Sequence, residues 1–298
     1  MNFANELIKY AKSKKKTIVF PEVAFSDKTV NAVCYLKKHN ICNVILVGDE
    51  SAILMQHKSL KSFTIINPKT YSMREEFAKQ LVYAIRDLTI TLDVAMELIN
   101  DPFYFATMLV KLGYADAMIG GVEVGYKTNI YPALKILNES DNFISTYILM
   151  STGKNLTGDI MLLTDCTMNK NPTSDELCVM AERVVEQFNK YVPAIPCVTF
   201  MNDISDKDFK SKEALAKFKA KNKHVFCLGD KPNLKANIMV FPDLNSANIC
   251  SKAIGYFGDV CTLGPITLGL EKPVNTLPKD CSIKDIINLT AITVLQCK

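Results

Sequence analysis

The chain has 298 residues, of which 48% are hydrophobic, so it can bury a large core, and its length predicts two domains. No apolar run approaches the roughly 18 to 20 residues of a membrane span, and we therefore expect no membrane partner. The formal net charge of +4 is mild and no dense basic patch is interleaved with aromatic residues, so we expect no nucleic-acid partner either.

The amino-terminal segment and the cysteines indicate the compartment. Residues 1–16, MNFANELIKYAKSKKK, predict a polar helix with a lysine run rather than an apolar signal region, so we expect a cytoplasmic protein. The ten cysteines are dispersed without a CxxC pair, which predicts neither a zinc site nor a disulfide framework. Cys281 stands beside a predicted helix start that could lower its pKa, but the chain has only three histidines, which argues against a Cys–His nucleophile.

Short apolar strands alternate with helices in the first half of the chain, and this alternation predicts a parallel sheet covered by helices. A buried helix over residues 101–113 is closed by Gly113, and the strand after it runs into Gly120 and Gly121. Loops at the carboxyl ends of such strands are where α/β folds bind ligands. The predicted strands are Thr17–Phe20, Asn43–Val47, Phe63–Ile66 and Ala117–Ile119, and the predicted helices include Thr29–Lys38 and Arg74–Ile85.

A second unit is predicted to begin near residues 138–141, a polar stretch without periodicity. Its first strands lie within residues 146–151 and 158–166. Thr173 and Glu176 then have the spacing of a capping box at a helix start.

Two further helices are predicted in this unit. The lysine-rich residues 206–223 predict a solvent-exposed helix. A later helix, ending at Ile254, would be capped by Asn245 or Ser246. Helix starts of this kind could converge on one cleft, although each is also explained by ordinary capping.

The carboxyl-terminal segment predicts an anion site. Ser282 and Asp285 have capping-box spacing before an apolar helical stripe, and Lys272 and Lys279 stand upstream of that helix start. Unpaired N–H groups and the positive end of the helix dipole favour phosphate there. The spacing alone leaves open the alternative that Asp285 only closes a capping box and that the lysines are solvated.

Five blocks of the chain resemble the phosphate acetyltransferase (phosphotransacetylase) family, in the order in which that family carries them. A match of this length is far more specific than one short motif. The blocks are KTIVFPE at 16–22, DPFYFATMLVKLGYADAMIGG at 101–121, LLTDCTMNKNPTSDEL at 162–177, FPDLNSANICSKAI at 241–254 and the closing motif at 264–296.

The resemblance implies an α/β fold with two domains, each with a parallel-type sheet covered by helices, similar to isocitrate and isopropylmalate dehydrogenases. We expect residues 1–138 and 270–298 to form the first domain, with the carboxyl-terminal helix completing it. Residues 139–269 would form an inserted second domain that is shorter than usual for the family. The ligand cleft would lie between the two.

The resemblance also implies the activity, which is reversible transfer of an acetyl or other short acyl group between coenzyme A and phosphate. The implied partners are coenzyme A, phosphate or acyl phosphate, and a second copy of the chain in a homodimer. No metal or other cofactor is expected. The family's aspartate in the final helix matches Asp285, which would take the proton from the thiol of coenzyme A.

The resemblance also identifies individual positions of the family's active site in this chain. Arg86 matches one of the family's three active-site arginines, whereas Tyr131 and Lys279 stand in place of the other two, and Pro278 replaces a serine. Lys127 is an additional cation. The candidate catalytic residues are Asp285, Lys279 and Arg86, and the candidate substrate-binding residues are Lys127, Thr128, Asn169, Asn171, Asn245, Asn275 and Ser282.

Two classes of function stay open at this point. The chain is either an active acyltransferase adapted to lysine or a catalytically impaired relative that binds coenzyme A or phosphate in a regulatory role. The second alternative arises because lysine gives one point charge where arginine gives a bidentate fork, and because Pro278 lacks both a hydroxyl and a backbone donor. A decarboxylating dehydrogenase is less favoured, because neither an acidic cluster at metal spacing nor a GxGxxG motif is found.

Overall fold

The chain forms two compact units. The first unit comprises residues 8–142 and 269–298, and the second unit comprises residues 1–7 and 143–268. That these units are separately folded domains with a ligand cleft between them stays a prediction. The computed structural model describes residues 3–85, 89–138, 143–152, 160–165, 167–192, 194–201, 209–223, 225–227, 236–258 and 260–298.

Helices and strands alternate along most of the described chain. The helices are α1 (Phe3–Lys14), α2 (Asp27–Lys38), α3 (Glu50–Gln56), α4 (Arg74–Ala84), α5 (Leu92–Leu98), α6 (Pro102–Lys111), α7 (Tyr126–Ile136), α8 (Ser174–Tyr191), α9 (Phe209–Lys221), α10 (Leu244–Phe257) and α11 (Ile283–Gln296). The strands are β1 (Thr17–Phe20), β2 (Asn43–Val47), β3 (Thr64–Ile66), β4 (Ala117–Gly120), β5 (Ser145–Ser151), β6 (Ile160–Thr164), β7 (Cys197–Phe200), β8 (Phe226–Cys227), β9 (Ile238–Val240), β10 (Cys261–Leu268) and β11 (Val274–Thr276).

The sheet of the first unit is parallel throughout the described residues, in the order β11-β4-β1-β2-β3. This confirms the predicted parallel sheet, and the bounds of β1 and β2 are those predicted. From β1 the chain moves outward to β2 and β3 on one side, and it later adds β4 and β11 on the other. The direction therefore reverses between β1 and β4, which in open parallel sheets is where ligands bind beyond the carboxyl ends of the strands.

Helices cover both faces of this sheet because successive strand residues point in opposite directions. Val19, Met118 and Val274 belong to a buried cluster that they share with α4, α5, α6 and α7. Asn275, the neighbour of Val274, points the other way, and its Nδ2 donates to Thr293 Oγ1 of α11 at 2.8 Å. The carboxyl-terminal helix thus belongs to the first unit, where α11 contacts α2, β1, β4 and β11.

The sheet of the second unit is mixed, in the order β10-β5-β6-β9-β7-β8. Strands β6, β9, β7 and β8 pair in parallel, whereas β5 pairs antiparallel with both β6 and β10. Only residues 152–159 connect β5 to β6, and parallel neighbours need a crossover of about a dozen residues or more. The short connection therefore enforces an antiparallel pair in a sheet that was expected to be parallel in type.

Two details of the second unit correct the sequence predictions. The N-cap of α10 is Asp243, whose carboxylate accepts from Ser246 N at 2.9 Å, so the predicted caps Asn245 and Ser246 were wrong. Helix α9 forms as predicted, but it is not exposed all round, because Ala214 and Phe218 are fully buried one turn apart. The predicted capping box of α8 is confirmed at Thr173.

No helix in the described ranges is both long enough and apolar enough to cross a membrane.

The aromatic rings in the core of the first unit are closely packed. The rings of Phe77 and Phe105 stack with centroids 5.3 Å apart, and the ring of Tyr71 meets Phe105 edge-on at 5.4 Å. Both phenylalanines are fully buried, so this cluster ties α4 to α6.

We expect Phe105→Ala to lower the free energy of unfolding by roughly 3 to 5 kcal/mol, because it removes buried apolar area and leaves a cavity. The matched control is Tyr83→Ala on α4, because Tyr83 is 80% exposed and its loss should change stability by less than about 0.5 kcal/mol. Urea unfolding followed by circular dichroism measures both. Equal midpoints for the two variants would contradict this account of the core.

Candidate active site

Three loops leave the carboxyl edge of the first unit's sheet beside one another. The β1 loop comprises residues 21–26, the β4 loop residues 121–125 and the β11 loop residues 277–282. Because β11, β4 and β1 are adjacent and parallel, their carboxyl ends lie at one edge. Each loop leads into the start of a helix, namely α2, α7 and α11.

A buried carboxylate joins the β1 loop to the β4 loop. Glu22 is 1% exposed and accepts three consecutive backbone N–H groups, from Val122 at 2.9 Å, Glu123 at 3.0 Å and Val124 at 3.1 Å. Ser26 Oγ adds a hydrogen bond to the Glu123 carboxylate at 3.0 Å. Such a run of N–H groups forms an anion-binding concavity, and here the protein's own carboxylate fills it.

Glu22 was not predicted from the sequence as a determinant of the site. The available signal was an acidic residue two positions after a buried parallel strand, where a charge needs partners. The partners are a hundred residues away in sequence, so only the pairing of β1 with β4 reveals them. A ligand anion at this edge must therefore use other donors.

The β4 and β11 loops are in direct contact. Gly121 has a φ of +92°, and a Cβ built there would lie 2.3 Å from Thr276 Cγ2, so no larger residue fits. Leu277 N donates to Gly120 O at 2.9 Å, which extends the β11–β4 pairing into the loops. The β11 loop thus starts from a fixed point.

The middle of the β11 loop is a turn exposed to solvent. Cys281 N donates to Pro278 O at 3.1 Å and closes the turn, while Leu277 and Cys281 are buried at its ends. Lys279 is exposed on the turn. A Cβ built on Gly125 would lie 3.5 Å from Lys279 Cε, so the lysine side chain lies along the start of α7.

The start of α7 has no side-chain cap. Its N-cap is Gly125, with a φ of +83°, whereas Ser26 and Ser282 cap α2 and α11 through their hydroxyls. The first turn of α7, with exposed Lys127 and Thr128, therefore presents backbone N–H groups at the positive end of the helix. The structure brings Lys127, Thr128 and Lys279 to the same edge.

The capping box at the start of α11 is confirmed. Ser282 Oγ accepts from Asp285 N at 3.2 Å, and Ser282 N and Oγ both donate to Asp285 Oδ2 at 2.8 Å. Because both bonds end on Oδ2, Ser282 leaves Asp285 Oδ1 unengaged. The partly exposed carboxylate is thus oriented by one oxygen, with the other available for chemistry.

Other candidates of the first unit lie in different surroundings. Asn275 is fully buried, and its amide bonds to Thr293 and Gln296 of α11. Lys272 precedes β11 and therefore lies at the opposite edge of the sheet, where its Nζ donates to Val110 O at 2.8 Å. The prediction that Lys272 contributes to an anion site at the start of α11 was wrong, because strand β11 lies between Lys272 and that helix start.

Of the three positions where the family carries arginine, the structure describes Tyr131 and Lys279. Tyr131 is 53% exposed on α7, one turn after Lys127, and Lys135 Nζ lies 5.7 Å from the centroid of its ring. Arg86 lies outside the described residues. Arg74 Nη2 donates to Asn100 Oδ1 at 3.0 Å, so this arginine is engaged in a contact within its own unit.

Three candidate binding residues belong to the second unit. Asn169 Nδ2 donates to Ile144 O at 2.9 Å and to the buried carboxylate of Asp165, while Asn171 Oδ1 accepts from Lys210 Nζ at 2.8 Å. Asn245 is exposed in the first turn of α10. A role of these residues in substrate binding stays a prediction.

The Cys281 thiol is not activated by the helix start beside it. Burial raises the pKa of Cys281 to about 11. The ammonium of Lys28 opposes this pKa shift, and the carboxylates of Asp285 and Asp280 add to it. The suggested lowering of this pKa was therefore wrong, because desolvation outweighs the helix dipole.

We expect iodoacetamide at pH 8 to alkylate Cys281 in the folded protein at least about 100-fold more slowly than a free thiol of pKa about 8.5, since the thiolate fraction differs by that factor. The rate should rise about tenfold per pH unit up to pH 10, and mass spectrometry of the Cys281 peptide measures it. In urea the same peptide should react like a free thiol. Fast alkylation of the folded chain at neutral pH would refute the raised pKa.

The chain is similar to known proteins over its whole length. A family model described as Phosphate acetyl/butaryl transferase matches residues 2–230 and 214–294. A phosphate acetyltransferase from Acetivibrio thermocellus is 30% identical over 333 residues, covering 100% of this chain and 99% of that protein. A phosphotransacetylase structure from Streptococcus pyogenes gives a TM-score of 0.87 at 27% identity over 98% of each chain. The EutD phosphotransacetylase from Staphylococcus aureus gives 0.86 at 26%, covering 98% of this chain and 97% of that one. The chain therefore belongs to the phosphate acetyl/butaryl transferase family.

Proposed function

We propose that this protein catalyses the reversible transfer of an acetyl group between coenzyme A and phosphate. Relatives that span the whole chain are named phosphate acetyltransferases, which favours the enzyme over an impaired binder. The proposal depends most on the arrangement of charged groups at the carboxyl edge of the first unit's sheet. There Lys279 lies against the uncapped start of α7, and the oriented carboxylate of Asp285 follows six residues later on the same segment.

Asp285 is the proposed general base. A thiol of pKa about 8.5 is only a few per cent ionised near neutral pH, so a positioned proton acceptor increases the supply of nucleophile. Oδ1 of Asp285 takes the thiol proton while Ser282 holds Oδ2. The sulfur then attacks the carbonyl carbon of acetyl phosphate and the C–S bond forms. The tetrahedral intermediate collapses with cleavage of the C–O bond to phosphate, which leaves as the anion.

Lysines and helix N–H groups form the proposed phosphate site. Lys127, Thr128 and the first turn of α7 supply backbone donors, a hydroxyl and a positive charge, and Lys279 adds a second cation. We assign stabilisation of the oxyanion to the Lys279 ammonium, because Pro278 offers neither a hydroxyl nor an N–H. Arg86 would add a bidentate contact, a role that rests on the family resemblance.

The remaining family positions are proposed to have supporting roles. Asn275 holds α11 against the sheet through its buried amide, and so it supports the helix that carries Asp285. Asn169, Asn171 and Asn245 are proposed to contact coenzyme A on the family resemblance. Tyr131 stands where the family carries an arginine, so an aromatic ring replaces a guanidinium group. Because this change could alter the acyl preference, acyl phosphates other than acetyl phosphate should also be assayed.

We expect Asp285→Asn to lower kcat for acetyl-CoA formation from acetyl phosphate and coenzyme A by about 10²- to 10⁴-fold, because the amide cannot accept the thiol proton. The measurement is the ultraviolet absorbance of the thioester bond as acetyl-CoA accumulates. Absence of turnover in the parent chain would refute the proposed function. Parent turnover with an unaffected Asp285→Asn variant would instead refute the assignment of the base.

A matched control separates chemistry from helix capping. Glu176→Gln makes the same carboxylate-to-amide change in the capping box of α8, where Thr173 occupies the N-cap. Both variants should lose up to about 1 kcal/mol of stability through a weakened cap. Only the Asp285 variant should lose turnover. A comparable loss of kcat in both would attribute the effect to folding.

We further propose that the protein is a cytoplasmic homodimer. Each of the nine cysteines in the described residues is a free thiol, as in reducing compartments. Three apolar side chains of α10 are largely exposed and form a surface that a second copy would cover, namely Ile249 at 68%, Tyr256 at 84% and Phe257 at 87%.

Light scattering should give twice the 33.2 kDa of one chain. Phe257→Lys should shift the measured mass towards that of one chain, whereas the control Tyr83→Lys should not. A monomeric parent would refute the dimer.

A further inference from the structure

Lys28 reaches from α2 to the turn that carries Lys279. Its Nζ donates to Lys279 O at 3.0 Å, across 251 residues of sequence. Lys28 lies in the first turn of α2, directly after the β1 loop, and its side chain is only partly exposed. Nothing in its local sequence indicates this partner.

The middle of this turn is exposed, whereas its ends are buried. Its ends are fixed by buried Leu277 and Cys281, but Pro278, Lys279 and Asp280 between them are exposed. The peptide group between Lys279 and Asp280 lies within this exposed segment, so packing restrains its orientation less than that of a buried peptide group. An ammonium donor at 3.0 Å holds that plane, and this charge-assisted bond is stronger than a neutral one.

Lys28 is itself held on a rigid platform. Ser26 caps α2 by accepting from Thr29 N, and the Ser26 hydroxyl bonds to Glu123 of the β4 loop. Val30 and Val33 of α2 are buried, and the helix contacts α11. The start of α2 therefore connects the β1, β4 and β11 loops.

We propose that Lys28 is a positioning residue for acyl transfer. By fixing the carbonyl of Lys279, it holds the Lys279 side chain along the start of α7, where that side chain meets the phosphate group of acetyl phosphate. Lys28 acts through Lys279 and does not contact the substrate. This inference rests on the proposed function, in which Lys279 belongs to the anion site.

The activity test uses three single variants. Lys28→Met should lower kcat/KM for acetyl phosphate about fivefold, the size expected for one exposed charge-assisted hydrogen bond, and Lys28→Arg should recover most of it. Lys37→Met is the matched control, because Lys37 lies on the same helix and its Nζ donates to the backbone oxygen of Ser62. The control should match the parent. Full activity in Lys28→Met would overturn the proposal.

A double-mutant cycle with Lys279→Met decides how Lys28 acts. If Lys28 works by holding the Lys279 side chain, Lys28→Met should cost less than about twofold once the Lys279 ammonium is gone. An undiminished fivefold loss in the Lys279→Met background would show that Lys28 contacts the substrate itself, which overturns the positioning role. Thermal unfolding of all variants should stay within a few degrees of the parent, about the effect of one surface contact.

A spectroscopic measurement keeps this test separate from the proposed function. The amide of Asp280 shares a peptide group with Lys279 O, so Lys28→Met should shift its ¹H–¹⁵N resonance and Lys37→Met should not. This readout needs no turnover. A parent chain without activity but with the shift would refute the proposed function and retain the contact, whereas an unshifted Asp280 amide would refute the contact.

Discussion

The candidate site depends on one buried carboxylate. Glu22 receives three backbone hydrogen bonds from the β4 loop, at the point where the strand order reverses between β1 and β4. A buried charge without such partners would be costly, and three unpaired N–H groups would be costly as well. The three N–H groups stabilise the carboxylate, and the carboxylate in turn accepts their hydrogen bonds. Their pairing fixes the path of the β4 loop, and so determines where α7 begins and where Lys279 can lie.

This arrangement explains why the proposed anion site lies to one side of the switch point. In many open parallel sheets a ligand anion uses the N–H groups beyond the reversal of strand order. Here Glu22 occupies them, which leaves the start of α7 with its glycine N-cap as the available N-terminus. Gly121 lets the β11 strand and its loop come close to the β4 loop, and Lys279 on the β11 loop lies against Gly125. The proposed anion site is thus shifted towards β11 and α11.

The lysines of this site supply charge without the planar fork of arginine. A lysine ammonium is a compact point charge on a flexible stem, so its position has to be imposed from outside. The turn at Pro278 and the contact from Lys28 restrict the backbone of Lys279. Asp285 is restricted in the same way by Ser282. The protein therefore orients simple charged groups through the backbone hydrogen bonds of their neighbours.

Much of the fold could be predicted from local pattern, because strand alternation and capping are properties of short segments. The bounds of β1 and β2 and the capping boxes at Thr173 and Ser282 illustrate this. The cap of α10 was misplaced by two or three residues, since several polar residues near Asp243 qualify by type alone. Lys272 was misplaced because proximity in sequence to the start of α11 says nothing about which end of a strand a residue occupies.

By itself the sequence determined the family, the alternation of strands and helices, and the candidate base Asp285, since each is written in contiguous residues. Only the tertiary structure decided what surrounds them. Glu22 meets the β4 loop, Lys28 meets Lys279, and Cys281 is desolvated, because strands far apart in sequence pair side by side. Such contacts depend on sheet order, and sheet order arises from packing the whole unit.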